Sequence, residues 1–128
     1  MTLQTEFPFT LPRGYVDESG TLHREGVMRL ATARDEIEPL RDARVKENEA
    51  YLTVIVLSRT MVKLGSLVQV TPKTVEGLFS SDLAYLQDFY TRINFGGAAE
   101  QAAVLEEVQA GTAYEAVPVP LAAAAAGA

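Results

Sequence analysis

The 128-residue chain is long enough for one modest core and too short for two independent ones. Its 48% hydrophobic and 22% charged content is that of a globular protein and excludes wholesale disorder; the absence of cysteine excludes a disulfide framework, thiolate metal sites and a cysteine nucleophile. Of the net charge of −6, four negative charges are Glu100, Glu106, Glu107 and Glu115, with no base after Gly96, so the body is near neutral and lacks the basic face that nucleic-acid phosphate requires.

The first residues, Met1-Thr-Leu-Gln-Thr-Glu6, lack a basic stretch leading into an apolar one, so no secretory signal is expected. Wholly apolar runs, Val54 to Leu57 in the most apolar stretch included, fall far short of the ~20 residues that span a bilayer. No membrane association is expected, and a reducing cytoplasm fits the cysteine-free composition.

Phe7, Phe9 and Leu11, then Tyr15, Leu22, Val27, Met28 and Leu30, are separated by polar positions in a strand-like way. Asp17-Glu-Ser-Gly20 between Tyr15-Val16 and Thr21-Leu22 is a hairpin connection, and Pro8 and Pro12 put the first strand at an edge. A β-hairpin over residues 7–31 is predicted, with a second bend near Glu25-Gly26. Thr32 with Asp35 three residues later resembles a capping box, and the short helix it opens should stop near Pro39.

The main helix is predicted from Asn48 as N-cap to Leu64, with Gly65 closing it. Its apolar residues are not confined to one stripe, so it should be buried on more than one side and form the core. Thr71-Pro72 opens a short helix to Phe79, and Ser81-Asp82 opens another over Leu83 to Asn94. There Leu83, Leu86, Phe89, Tyr90 and Ile93 fall at helical spacing and are expected to pack on the central helix. Gly96-Gly97 reads as a hinge. Ala98 to Ala110 can be helical by propensity, and the stretch with Pro118, Pro120 and Ala122 to Ala126 has too little apolar bulk to build a core. The fold class expected is α+β: an N-terminal β-hairpin packed on about three to four helices, as one domain over residues 1–95, followed by a disordered, flexible, Ala-rich acidic tail over 96–128.

The chain carries no recognisable catalytic kit. The lone His23 reads as a surface residue without a second ligand for a metal. Asp35, Glu36 and Glu38 lie among arginines and read as a solvated helix face. Arg59, inside the most apolar helix, reads either as a rim residue with its head in water or as the partner of Asp82 or Asp88. Gly96-Gly97 has neither the preceding strand nor the Lys-Ser/Thr pair of a phosphate loop. No catalytic residue, cofactor or metal is expected, and no enzymatic activity. Tyr85, Phe89 and Tyr90 are core candidates that would serve as partner anchors wherever exposed. The helices between Thr71 and Asn94 also suggest a helix-turn-helix, but the second offers one base, Arg92, against Asp82 and Asp88.

The segment order Phe9-Thr-Leu-Pro-Arg-Gly-Tyr-Val-Asp, Tyr51-Leu-Thr-Val-Ile-Val-Leu-Ser-Arg and Asp82-Leu-Ala-Tyr-Leu-Gln-Asp-Phe-Tyr-Thr-Arg-Ile-Asn94 resembles the small tail assembly proteins of contractile-tailed phages and contractile injection systems. The resemblance covers residues 7–94. It implies a tail assembly chaperone in the cytoplasm of the producing bacterial cell, which holds the tape measure protein soluble while tail tube protein subunits assemble around it and is absent from the finished particle. A small structural or adaptor subunit retained in the tail or baseplate is the alternative, and a helix-turn-helix regulator the third. A chaperone must cover its apolar patch when free. Residues 98–110, through Val104, Leu105 and Val108, are expected to dock over the body or to join the client.

Overall fold

The computed structural model describes residues 3–109; Pro118, Pro120 and the Ala-rich run, on which the expectation of a disordered end rests, lie outside the described residues. Strands β1 (Glu6–Val16) and β2 (Leu22–Arg29) form the expected antiparallel hairpin, with Phe7 opposite Met28 and Tyr15 opposite His23. Asp17 builds the turn. Its Oδ1 accepts from the N–H groups of Ser19 and Thr21 at 2.9 and 3.0 Å, as a short polar side chain does when it stands in for a backbone turn. Phe7, Phe9 and Leu11 point alternately inward and are buried.

The bend expected at Glu25-Gly26 is absent, and β2 runs through both residues. Gly26 serves a close approach instead. A Cβ there would lie 2.4 Å from the Lys63 carbonyl oxygen and 2.4 Å from the Phe9 ring, so only a residue without a side chain lets these groups meet across β2.

The helix expected over 48–64 is divided. Helix α3 occupies Tyr51–Thr60, with Ala50 rather than Asn48 as its N-cap, and Met61–Leu64 is a strand, β3, which pairs antiparallel with β2 to give the sheet order β1-β2-β3. Thr60 turns its hydroxyl back onto the Val56 carbonyl at 3.0 Å, and the chain becomes extended at Met61. The cause is tertiary. Pairing with the free edge of β2 supplies backbone hydrogen bonds to both strands and buries Met61 and Leu64, which outweighs the few tenths of a kcal/mol per residue by which Met, Lys and Leu favour helix. Gly65 follows a strand, not a helix, and donates its N–H to the Glu25 carbonyl at 2.7 Å.

Helix α1 (Ala33–Ile37) starts at the Thr32 box and gives way to a single 3-10 turn, Glu38–Arg41, that contains Pro39. Helix α2 (Ala43–Glu47) was not anticipated; the Asp42 side chain caps it by accepting from Arg44 N–H at 2.8 Å. Helix α4 (Pro72–Glu76) is shorter than expected and α5 (Ser80–Phe95) longer. Helix α5 lies on the sheet as well as on α3, with the Phe9 ring 5.7 Å from Phe89 and 6.5 Å from Tyr85. In its first turn the fully buried Asp82 accepts from the N–H groups of Arg13 and Gly14 at 2.9 and 3.0 Å. It thereby satisfies β1 where the register with β2 shifts, between Thr10 and Tyr15.

The fold is α+β, as expected, but the packed body does not stop at Phe95. Gly97, at φ +75°, turns the chain into helix α6 (Gly97–Gln109), which folds back on α5 and β1. Val104 enters the core at 1% exposure; Gln101 caps the Ile93 carbonyl at 2.8 Å; Arg92 pairs with Glu100 and, at 2.8 Å, with Glu107. Residues 97–109 are therefore a packed part of the domain rather than a loose tail. The glycine pair is a tight corner.

Candidate functional site

Helices α3 and α5 do not close fully against each other. Between them lies a groove with a volume of about 370 Å³, lined by Leu52, Thr53, Val56 and Leu57 of α3, by Gln87, Tyr90 and Thr91 of α5, and by Glu36 of α1. The helical period sets both walls. Leu52 and Val56 stand one turn apart on α3, as do Gln87 and Thr91 on α5. Leu57 and Val56 turn toward the interior and are buried, while Leu52 and Thr53 stay half-buried at the mouth. The apolar breadth of α3 is thus divided between core and groove.

Tyr90 spans the groove. Its hydroxyl donates to Glu36 Oε2 at 2.5 Å, and its ring meets Phe95 edge-on at 6.3 Å. Burial, with the hydrogen bond to the Glu36 carboxylate second, pushes the phenol well above its ordinary value of 10, so it remains a donor. Phe95 at the end of α5 is 70% exposed.

The position of Glu36 is fixed by its neighbour. Asp35, expected on a solvated face, is 2% exposed and lies at the junction of three elements. It receives Arg29 of β2 through two hydrogen bonds, at 2.7 and 2.9 Å, and Arg59 of α3 at 3.1 Å, and it caps α1 by accepting from Thr32 N–H at 2.8 Å. The Arg29 guanidinium is the main cause that holds its carboxyl well below the usual carboxylate range, against the opposing effect of burial. Arg59 also reaches Glu38 at 3.2 Å. Its partners are therefore Asp35 and Glu38, not Asp82 or Asp88; Asp82 is committed to the β1 backbone. The pairing joins residues 24 apart in sequence, and no local pattern announces it.

His23 is likewise not a surface residue. At 4% exposure it donates from Nε2 to Asp17 at 2.7 Å, accepts from Ser66 N–H at Nδ1 and stacks on Tyr15. With both ring nitrogens engaged it pins the hairpin turn to the end of β3 and is closed to a reacting hydroxyl. Among the described residues there is no group of three or more His, Asp or Glu that could hold a metal ion.

Of the expected partner-binding residues, Tyr85 and Phe89 lie in the core, at 6% and 3% exposure, where the Tyr85 hydroxyl accepts from Thr10 N–H at 3.3 Å. Leu105 and Val108 are half-buried on the packed α6, and Leu105 lies against the core. Tyr90 alone lines the groove. The sequence gives Leu52, Gln87 and Thr91 no binding role, and it reads Glu36 only as part of a solvated face. Their only signal is a one-turn spacing that any helix face shares, because nothing local reveals which faces oppose each other. Among the described residues no helix is long and apolar enough to cross a membrane. Comparison with protein-family models, curated proteins and solved structures gives no match.

Proposed function

We propose that this protein is a non-enzymatic tail assembly chaperone that works in the cytoplasm and holds the tape measure protein while a phage-type tail or contractile injection particle is assembled. The order of its hairpin and helix motifs supports this reading, and the α3–α5 groove carries it: an aliphatic floor with polar rims, Glu36 the one charge among them, suits the side chains of a polypeptide. A regulatory DNA-binding role has less support. Helix α4 is only five residues long, and Arg92, the one base of α5, is already engaged by Glu100 and Glu107.

The test is co-expression with the tape measure and tube proteins of the same gene cluster, followed by affinity capture. Gln87→Arg with Thr91→Arg fills the groove from exposed positions and spares the core. The double variant should lose tape measure capture while keeping the parent's melting temperature. Equal capture would remove the groove from the reading. Mass spectrometry of finished particles separates a chaperone, absent from them, from an adaptor subunit that stays.

A further inference from the structure

We infer that Glu36 is the specificity-determining residue of the groove, and that the partner it fits is an amphipathic helix with a Lys or Arg flanking its aliphatic stripe. At about 370 Å³ the groove is near the small end of the range of roughly 300–1,000 Å³ for binding cavities, so it receives side chains from one face of a partner rather than a whole chain. Its two walls are ridges of residues one turn apart, the relief that the i, i+3 and i+4 side chains of a third helix match.

Among the eight lining residues Glu36 alone carries a charge, and it is exposed. The cations around it are taken: Arg29 and Arg59 by Asp35, and Arg34 by Glu38. None of the ion pairs among the described residues includes Glu36. Tyr90 holds the carboxylate with one hydrogen bond and leaves its remaining acceptor capacity at the groove's edge. An apolar floor with one oriented, unmatched anion calls for an apolar stripe with one cation. The chain's own C-terminal residues are a poor match, because no base follows Gly96.

The identity of this face as the client site rests on the proposed function; its charge preference does not. Two synthetic helical peptides with the same aliphatic stripe, one with Lys and one with Glu at the flanking position, are titrated into the full chain while the amide signals of Thr53, Gln87 and Thr91 are followed by NMR. The Lys peptide is expected to bind about tenfold more tightly, a difference that shrinks in ~1 M salt. Glu36→Gln should level the two affinities and Glu36→Lys reverse them, each with a parent-like melting curve. Equal affinities in the parent, shifts confined to other residues, or a preference that survives Glu36→Gln would overturn the inference. So would groove shifts that grow with the protein's own concentration, as for a second copy. Full tape measure capture by Glu36→Lys would overturn it and leave the proposed function standing. Peptide discrimination without tape measure capture would uphold it and remove that function.

Discussion

Asp35→Asn tests whether the carboxylate between β2, α1 and α3 holds the domain together. Asp35 accepts two hydrogen bonds from Arg29, one from Arg59 and one from Thr32 N–H, and its side chain is 3% exposed. Removing one partner of a fully buried ion pair costs about 3–5 kcal/mol, because a charge is left dry and unpaired. Here Arg29 and Arg59 keep 31% and 32% exposure, so water replaces part of what the carboxylate supplied. The expected loss is therefore smaller, about 2–3 kcal/mol, within the range for hydrogen bonds to charged groups. Urea unfolding at neutral pH measures it. The acid limb gives an independent check with a fixed sign. The Arg29 guanidinium holds the folded-state carboxyl well below its ordinary 3.8, so the contribution of Asp35 is complete above that value and is lost as pH falls through it toward the folded value. The parent should lose stability below about pH 4 more steeply than Asp35→Asn. A loss under ~0.5 kcal/mol, the range of ordinary surface substitutions, or parallel acid limbs, would refute this account.

Leu86→Ala, at a fully buried position of α5, should cost about 2–5 kcal/mol in the same assay. Gly26→Ala should destabilise by about 1–3 kcal/mol, since the added methyl meets the Lys63 carbonyl and the Phe9 ring, and a neutral result would mean that β3 does not pair as described. Ending the chain after Gly97 should lower the melting temperature by several degrees, because Val104 leaves the core and Arg92 loses Glu100 and Glu107; an unchanged melt would restore the view of residues 97–109 as a dispensable tail. Hydrogen exchange at the Ser66 amide should accelerate in His23→Ala but not in Ser58→Ala, since His23 Nδ1 is its acceptor.

What was legible in the sequence is what local chemistry decides. The Asp17–Gly20 turn, the Thr32 start, the stop at Pro39 and the Thr71-Pro72 start each depend on residues within four positions of one another, and each is present. Errors collect where a distant segment decides. Met61–Leu64 has no local reason to leave the helix; the reason is the open edge of β2, roughly thirty-five residues earlier in the chain. Arg59, Asp35 and His23 were misplaced for the same cause, since a charged or titratable side chain reads as solvated until the fold brings its partner to it. Of the site, only Tyr90 is expected from the sequence to bind a partner, as one member of an aromatic series whose other two members, Tyr85 and Phe89, are interior; Glu36 reads there only as part of a solvated face.

The groove and the Asp35 junction are parts of one arrangement. Helix α1 is five residues long, too short to hold its place by its own hydrogen bonds. It is Asp35, tied to Arg29 and Arg59, that sets where α1 sits against α3, and Glu36 is the next residue in the chain. Whatever loosens Asp35 therefore moves the carboxylate that Tyr90 holds at the groove, whereas changes to Glu36 itself leave the junction intact. The two substitutions should therefore differ in reach. Asp35→Asn should weaken both stability and groove binding, and Glu36→Gln should change the choice of partner while leaving the urea midpoint where it was.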